Sequence, residues 1–509
     1  LIVLLTLGEG SQFVYAVTEE TSSSTAPVEE VATTEEKTAE STEVSSEAAT
    51  VETTASSEAT ENTSKKEETK EKESKKEKAE KDSIKPQAAN DPVNIPDPVL
   101  NKWIRGALNY QYGPNLGIAD SDPVTEEHME KLTTLNRGSY GDAGVDPIYD
   151  LTGLEYATNL ETLNFDAKKT YSPYQKNDQF TTLPANFKNL TKLKKLTFYY
   201  GKLNNIDELK DHSSLQEFSA VQNDLPSLEG LSGCTELTKI TLDGSANSTY
   251  LQNGGIENFK GLEKSTKLKE IYFRKYNEQT GPTMTNVGTI EPSYIGSGLQ
   301  SLDGLNCAGT LETLDLEGHP GLHTLEGLEN YNKLTTLRVV GAPNYNGRRA
   351  EYTNPGGSKD LYFDPVVHTP MYNTRGLRGA NAIDAISNLP SLKEVNLSSN
   401  ALEDISALAN KNTIQNLNLS CNLIETLQPL VTSNKIVVLD VSHNLLRNLS
   451  GLENTDTLEE IDCSKQNTGA RQMPLSGSNG ADYNLKGVLE DITALNSTRL
   501  KKLVAIAID

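Results

Sequence analysis

An α/β solenoid, curved into a horseshoe with short parallel strands on its concave face, is the architecture this sequence predicts. Three observations predict it. Stretches beginning at Leu392, Ile414 and Ile436 repeat with a period of 22 residues, and a further unit opens at Leu458. Each unit carries apolar residues at its positions 1, 4, 6, 11, 14 and 17. The early positions alternate as a strand with one buried face does, and the later ones recur at about every third residue on the return path. Position 9 is Asn400, Asn422 and Asn444 in the three units. An amide turned inward there can satisfy backbone groups that no strand partner reaches.

This is the leucine-rich-repeat pattern. One unit cannot bury its own apolar face, so units must stack, and stacking leaves an open surface lined by strands. The element order follows from that requirement.

Residues 1–16 open with the apolar run Leu1 to Leu7, and the small side chains of Val14 and Ala16 suit cleavage before Val17. They read as the remnant of an export signal peptide, without an initiator Met or basic flank. Residues 17–90 consist mainly of Glu, Thr, Ser, Ala and Lys. Such a segment cannot offset the entropy of ordering, so it is predicted to be disordered. Pairs such as Glu68–Lys72, Glu71–Lys75 and Glu77–Lys81 have the i, i+4 order that favours a transient solvated helix.

Order is predicted from Asp91. Asp97-Pro98 is a helix start, with Asp as N-cap and Pro at the first position. Val99, Leu100, Trp103, Ile104, Ala107 and Leu108 then share one helical face. A second short helix is predicted from Thr125, with Val124 and Met129 as its hydrophobic staple. Residues 91–131 therefore form a helical cap over the apolar end of the stack, and Trp103 belongs to its core.

Residues 132–509 form the repeat domain. After a first strand at Leu132 to Leu135, strands are predicted to start at Leu160, Leu193, Leu215, Leu237, Leu268, Leu311, Leu334, Leu392, Ile414, Ile436, Leu458 and Leu500. Five spacings exceed 22 by 9 to 36 residues. The excess falls just after the strand each time, at Ala167–Gln179, Gly244–Gly255, Lys275–Ser297, Gly341–Arg375 and Lys465–Asn484. Equivalent places line up in a solenoid, so the five insertions should form a row along one edge. The chain ends within a strand, LKKLVAIAID, and reads as lacking its C-terminal closing element.

Composition narrows the function. Basic residues number 47 and acidic ones 71, a formal charge of −24, which argues against nucleic acid as a partner. No stretch approaches the ~20 apolar residues of a membrane helix. Cys234, Cys307, Cys421 and Cys463 lack metal-ligand spacing and predict no disulfide framework; Cys463 replaces the position-6 leucine and reads as core. His319 and His323 are four apart, but Pro320 and Gly321 deny them a shared helical face, so they read as turn residues. The glycine pairs at Gly254 and Gly356 lack a following Lys-Ser/Thr and read as hinges. Glu312, Asp315, Glu460 and Asp462 are expected on a solvated sheet face with no pocket to raise a pKa. No catalytic residue, metal site or cofactor is predicted, and the protein is expected not to be an enzyme.

Binding has more support. The inward strand positions are mainly small, polar or charged, with Tyr199 and Tyr272 as aromatic exceptions. The insertions hold ten of the twenty tyrosines, mixed with Asn, Gly, Ser and Arg. That composition suits a recognition surface, because Tyr supplies large contact area at low entropy cost. The candidate partner-binding residues are Tyr171, Tyr174, Tyr199, Tyr250, Tyr272, Tyr276, Tyr345, Arg348, Arg349, Tyr352 and Tyr372. Packing of these tyrosines against the solenoid edge is the rival reading. The regular block from Leu392 has a small polar inward face (Asn396, Asn416, Asn418, Asp440) and reads as scaffold.

The 22-residue unit, the run IYDLTGLEYATNLETLNF from Ile148 and the segment IPDPVLNKWIRGALN from Ile95 resemble the internalin family of exported leucine-rich-repeat proteins of Gram-positive bacteria. The Glu/Thr/Ser/Lys-rich region looks more like that of the enterococcal leucine-rich (ElrA-like) surface proteins. The resemblance implies a surface-exposed or secreted protein that binds a protein partner, often a host receptor, in adhesion, invasion or virulence. Five large insertions depart from the family pattern, as does the lack of an immunoglobulin-like closing domain, a sortase motif or a WxL domain. A protein or glycan ligand on the host or in the bacterial envelope therefore fits. A second reading is a cell-envelope spacer that organises other surface proteins.

Overall fold

The computed structural model describes residues 91–505 except 114–117, 120, 138–145, 166–177, 200, 222, 244–254, 275–297, 320, 342–350, 354–358, 362–375, 465, 467–488, 490 and 496. It also gives the backbone alone of 2–7, 11–16, 351–353 and 359–361. All of these belong to one compact unit. Most of the five insertions and the region 17–90 lie outside the described residues.

The cap forms as its sequence requires. Helix α1 (Pro98–Tyr112) starts at Asp97, whose carboxylate accepts from the amides of Val99 and Leu100, both at 2.9 Å. The other Asp97 oxygen accepts from Tyr149 N at 2.7 Å, which ties the helix start to the first outer turn of the solenoid. Leu100, Trp103, Ile104, Ala107 and Leu108 are fully buried. Helix α2 (Glu126–Glu130) has Thr125 as N-cap in a capping box where His128 takes the usual Glu/Gln role. Trp103 donates to the carbonyl of Asn136 at 3.1 Å and meets Phe165 edge-on, with ring centroids 5.3 Å apart. Phe165 stacks on Phe198 at 5.2 Å, so an aromatic spine carries the cap's core into the repeats.

The sheet begins, in chain order, with β1 (Ile2–Leu7) and β2 (Ser11–Ala16). The repeat strands follow as β3 (Thr134–Asn136), β4 (Thr162–Asn164), β5 (Lys195–Tyr199), β6 (Glu217–Val221), β7 (Lys239–Thr241), β8 (Glu270–Arg274), β9 (Thr313–Glu317) and β10 (Thr336–Val340). Next come β11 (Glu351–Thr353) and β12 (Lys359–Leu361), and then β13 (Glu394–Asn396), β14 (Asn416–Asn418), β15 (Val438–Asp440), β16 (Glu460–Asp462) and β17 (Lys502–Val504). From β3 to β17, omitting β11 and β12, neighbours in sequence are neighbours in one parallel, open sheet. Each predicted repeat strand is present. The register never slips: Leu135, Leu163, Leu196 and Phe218 begin a line of position-4 side chains that ends at Leu439, Ile461 and Leu503. These residues are buried, each worth roughly 1.5–3 kcal/mol relative to exposure. A one-residue slip would turn a strand's apolar set outward, which is why the register is held.

The backbone of β1 extends the sheet beside β17, with Val3 opposite Leu503, and β2 returns antiparallel. This is the stretch whose composition suits an export signal. Pairing it here satisfies amides and carbonyls of a strand edge. A hairpin of β11 and β12, within the fourth insertion, has no counterpart in the sequence reading.

The outer return path is made of short 3-10 turns, such as Asp207–Leu209, Ser406–Leu408 and Gln428–Thr432. Their three-residue period explains the leucine spacing of that half. Among the described residues the α-helices are those of the cap. Tight stacking of these turns demands glycine at Gly451, where φ is +108° and a Cβ would lie 2.1 Å from the Leu427 carbonyl.

Position 9 does what the asparagine pattern predicts. Asn422 donates to the carbonyl of Leu397 at 2.9 Å and accepts from Leu402 N at 3.1 Å, so one amide joins two points of the preceding repeat. Asn223 and Asn444 do the same. Two further residues fill this role unannounced. Gln466 donates to Val441 O at 2.9 Å and accepts from Leu446 N at 3.0 Å. His319 donates to Phe273 O at 2.8 Å and accepts from Leu299 N at 3.2 Å. His319 is thus a buried strut rather than a simple turn residue.

Candidate functional site

The concave face of β7 to β10 carries the densest polar arrangement among the described residues. Strand alternation aims positions 3, 5 and 7 of each repeat at this face, and parallel register sets equivalent side chains side by side. At position 3, Lys239 on β7 meets Glu270 on β8 at 2.7 Å. At position 5, Tyr272, Asp315 and Arg338 follow one another across β8, β9 and β10. Position 7 contributes Arg274 and Glu317 on β8 and β9, and Asp243 just beyond β7.

These side chains are linked. Tyr272 donates its hydroxyl to Glu270 at 3.2 Å. The Lys239 ammonium lies 4.9 Å and the Arg274 guanidinium 5.5 Å from the centre of its ring. Arg274 Nε donates to Asp243 at 3.0 Å, and Asp243 also accepts from the Arg274 amide at 3.0 Å. Asp315 lies 3.6 Å from Arg274 and 2.9 Å from Arg338, and so bridges the two arginines. Arg338 also forms an ion pair with Glu317 at 2.7 Å.

Electrostatics follow the contacts. Hydrogen bonding to Lys239 holds the Glu270 carboxyl below its usual pKa, and hydrogen bonding to Glu270 holds Lys239 above its own. Burial, then the Glu270 charge, pushes the Tyr272 phenol up. Asp315 and Glu317 are only 8% and 2% exposed, against the expectation of a solvated carboxylate at Asp315. The flanking long arginine side chains cover both carboxylates while neutralising them.

The regular block behaves differently. Asn396, Asn418, Asp440 and Asp462 at position 5 each accept from the backbone amide two residues on, at 2.9–3.0 Å. Their acceptors are committed to shaping their own chain. A shallow trough of about 510 Å³ runs over this block between Arg338 and Lys502, with Glu394, Asp440 and Glu460 among its walls. Burial, reinforced by Asp462 on the next strand, raises the Asp440 pKa. Asp440 accepts from the Ser442 amide at 3.0 Å and from the Ser442 hydroxyl at 2.7 Å, and His443 Nδ1 lies 3.3 Å from that same hydroxyl.

Of the candidate binding residues, Tyr199 and Tyr272 lie on the concave face, separated by about 14 Å of sheet because β5 and β8 are three strands apart. Tyr272 joins the cluster; Tyr199 does not. Tyr352 is placed by its backbone in β11, opposite Asp360. Tyr171, Tyr174, Tyr250, Tyr276, Tyr345, Arg348, Arg349 and Tyr372 lie outside the described residues. The roots of the insertions are described, and they follow β4, β7, β8, β10 and β16 at the same edge of the sheet. Three of those roots adjoin the Tyr272 cluster.

The sequence reading named Tyr272 and missed its companions. The signal was available: once the register is known, position 7 is charged in three adjacent repeats (Asp243, Arg274, Glu317), and position 5 is charged in the last of these and the next (Asp315, Arg338). Among the described residues no group of three or more His, Cys, Asp or Glu is placed to hold a metal ion. The four cysteines are free, and burial pushes the thiols of Cys234, Cys307 and Cys463 up to about 12. No described helix is long and apolar enough to cross a membrane.

No protein-family model matches the chain, and no curated protein does. Among solved structures, the chain is similar to an internalin (inlF) of Listeria monocytogenes at 18% identity, over 82% of this chain and 98% of that one, with a TM-score of 0.46. It is similar to the functional domain of InlJ from the same organism at 15% identity, over 72% and 81% of the two chains, with a TM-score of 0.31. A leucine-rich-repeat protein of Leptospira interrogans matches at 15% identity, over 66% and 91%, with a TM-score of 0.31.

Proposed function

We propose that this chain is an exported bacterial surface protein that binds a protein partner through its concave sheet, centred on the Tyr272 cluster. The observation that carries the reading is the fixed geometry of that cluster: a tyrosine held between Lys239 and Arg274, with Arg338, Asp315 and Glu317 beside it. Tyrosine and arginine supply most interface hot spots, and side chains already fixed lose little entropy on binding. The shallow, open face suits a protein surface better than a small molecule, which prefers an enclosing pocket. A glycan is the other ligand class the sequence admits.

Export and surface display rest on the apolar start of the chain, the long polar region after it and the internalin-like repeats. Adhesion, invasion or virulence is the role that resemblance suggests. A spacer within the cell envelope is the second reading, and the scaffold-like block over β13 to β16 favours it. Passing host-cell surface extract and bacterial envelope extract over the immobilised protein separates the two. The binding reading expects a discrete host protein retained by the wild type and lost with Tyr272→Ala. Retention of envelope components alone, unchanged by that substitution, supports the spacer instead.

A further inference from the structure

His319 and Asn400 occupy equivalent places two repeats of the fold apart, and each spans an insertion. Asn400 donates to Val339 O at 2.8 Å, before the 342–375 excursion, and accepts from Leu377 N at 2.9 Å, just after it. His319 joins Phe273 O to Leu299 N across the 275–297 excursion in the same way. Both side chains are buried. Asn223, Asn422, Asn444 and Gln466 join two points of a regular return path, so they hold no insertion.

We infer that His319 and Asn400 are positioning residues that clamp the two feet of these excursions, and that the His319 clamp alone opens on acidification. The partners dictate the tautomer. Phe273 offers only a carbonyl, so Nε2 must carry the proton; Leu299 offers only an N–H, so Nδ1 must present its lone pair. A proton added at Nδ1 sets N–H against N–H and places a charge in a buried site. Asn400 cannot titrate. The ring packs on Phe273, with centroids 4.4 Å apart. Among the described residues, the charged and titratable groups on the elements around it are Arg274 on β8, Asp303 beyond Leu299, Glu317 at the end of β9, Arg338 on β10 and His323 on the next turn. Glu317 is already paired with Arg338, Arg274 with Asp243, and His323 with Arg378. This proposal is independent of the partner-binding reading.

Amide hydrogen exchange of the full chain tests it, with protection factors corrected for the intrinsic pH dependence of exchange. Between about pH 7.5 and about pH 5.5, protection of the Leu299 amide should fall about tenfold or more, as the loss of its acceptor requires. Protection at Leu377 should hold. His319→Asn installs the side chain found at the other clamps, so it should keep Leu299 protected at both pH values. The inference is overturned if Leu299 protection does not change with pH, if Leu377 loses protection in step with it, or if His319→Asn retains the pH response.

Discussion

Arg338 donates to Asp315 at 2.9 Å across the β9–β10 pair, and it is the same guanidinium that neutralises Glu317. Removing it leaves Arg274, 3.6 Å away, as the cation beside the nearly buried Asp315, and takes from Glu317 the arginine 2.7 Å away. Arg338→Met should therefore lower the unfolding free energy by about 2–4 kcal/mol in urea titration, the low end reflecting the partial exposure of the arginine. Adding Asp315→Asn to that variant should recover part of the loss. Equal stability of Arg338→Met and wild type would show that the ion-pair row contributes nothing to the fold.

The position-9 ladder makes a second prediction. Asn422→Ala leaves Leu402 N without its acceptor and takes one of two donors from the Leu397 and Leu419 carbonyls, which keep Asn400 and Asn444 respectively. A loss of about 1–3 kcal/mol should follow, because a buried backbone amide then goes unsatisfied. Gln466→Ala should behave alike, whereas the exposed Asn416→Ala should stay within about 0.5 kcal/mol of wild type. Thermal melts of the three variants, run side by side, check the ranking.

Acid should weaken the fold before it reaches the carboxylates. Burial lowers the pKa of His128, His212 and His323, with Lys131 and Arg378 adding to the first and last respectively. The unfolded chain takes up protons on these residues below about pH 6.5 while the folded chain resists. More protons on the unfolded state means that stability falls as pH drops through that window. Glu155 and Asp440 are shifted up, chiefly by burial, and so act in the opposite sense at lower pH. The melting temperature should decline from about pH 7 to about pH 5.5, and His212→Leu should flatten part of that slope. A melting temperature that rises on acidification across this range would contradict the assignment.

Much of this was legible because a solenoid writes its fold locally. Period and register follow from Leu392, Ile414 and Ile436, and the same rule locates each repeat strand from β3 to β17. The cap was legible for a similar reason, since Asp97-Pro98 and the spacing of Leu100, Trp103 and Leu108 are short-range signals. Substitutions by chemical role were harder to see. His319 and Gln466 bridge the preceding repeat as asparagine does, but neither matches the asparagine pattern. The Tyr272 cluster was hidden by distance in sequence: Asp243, Arg274, Asp315 and Arg338 come from four repeats, and two long insertions separate them. Tyrosine composition pointed to the insertions, whereas the described cluster lies on the sheet at their roots.

The Tyr272 cluster is the centre of the functional account, and an affinity comparison tests it most directly. With a protein captured from host-surface extract, the dissociation constants of wild type, Tyr272→Ala and Lys188→Ala should be measured under one set of conditions. Lys188 lies exposed on an outer turn, away from the concave sheet. The account predicts binding at least about tenfold weaker for Tyr272→Ala, as removal of a hot-spot side chain requires, and no more than about twofold change for Lys188→Ala. Equal affinities for all three proteins would contradict it.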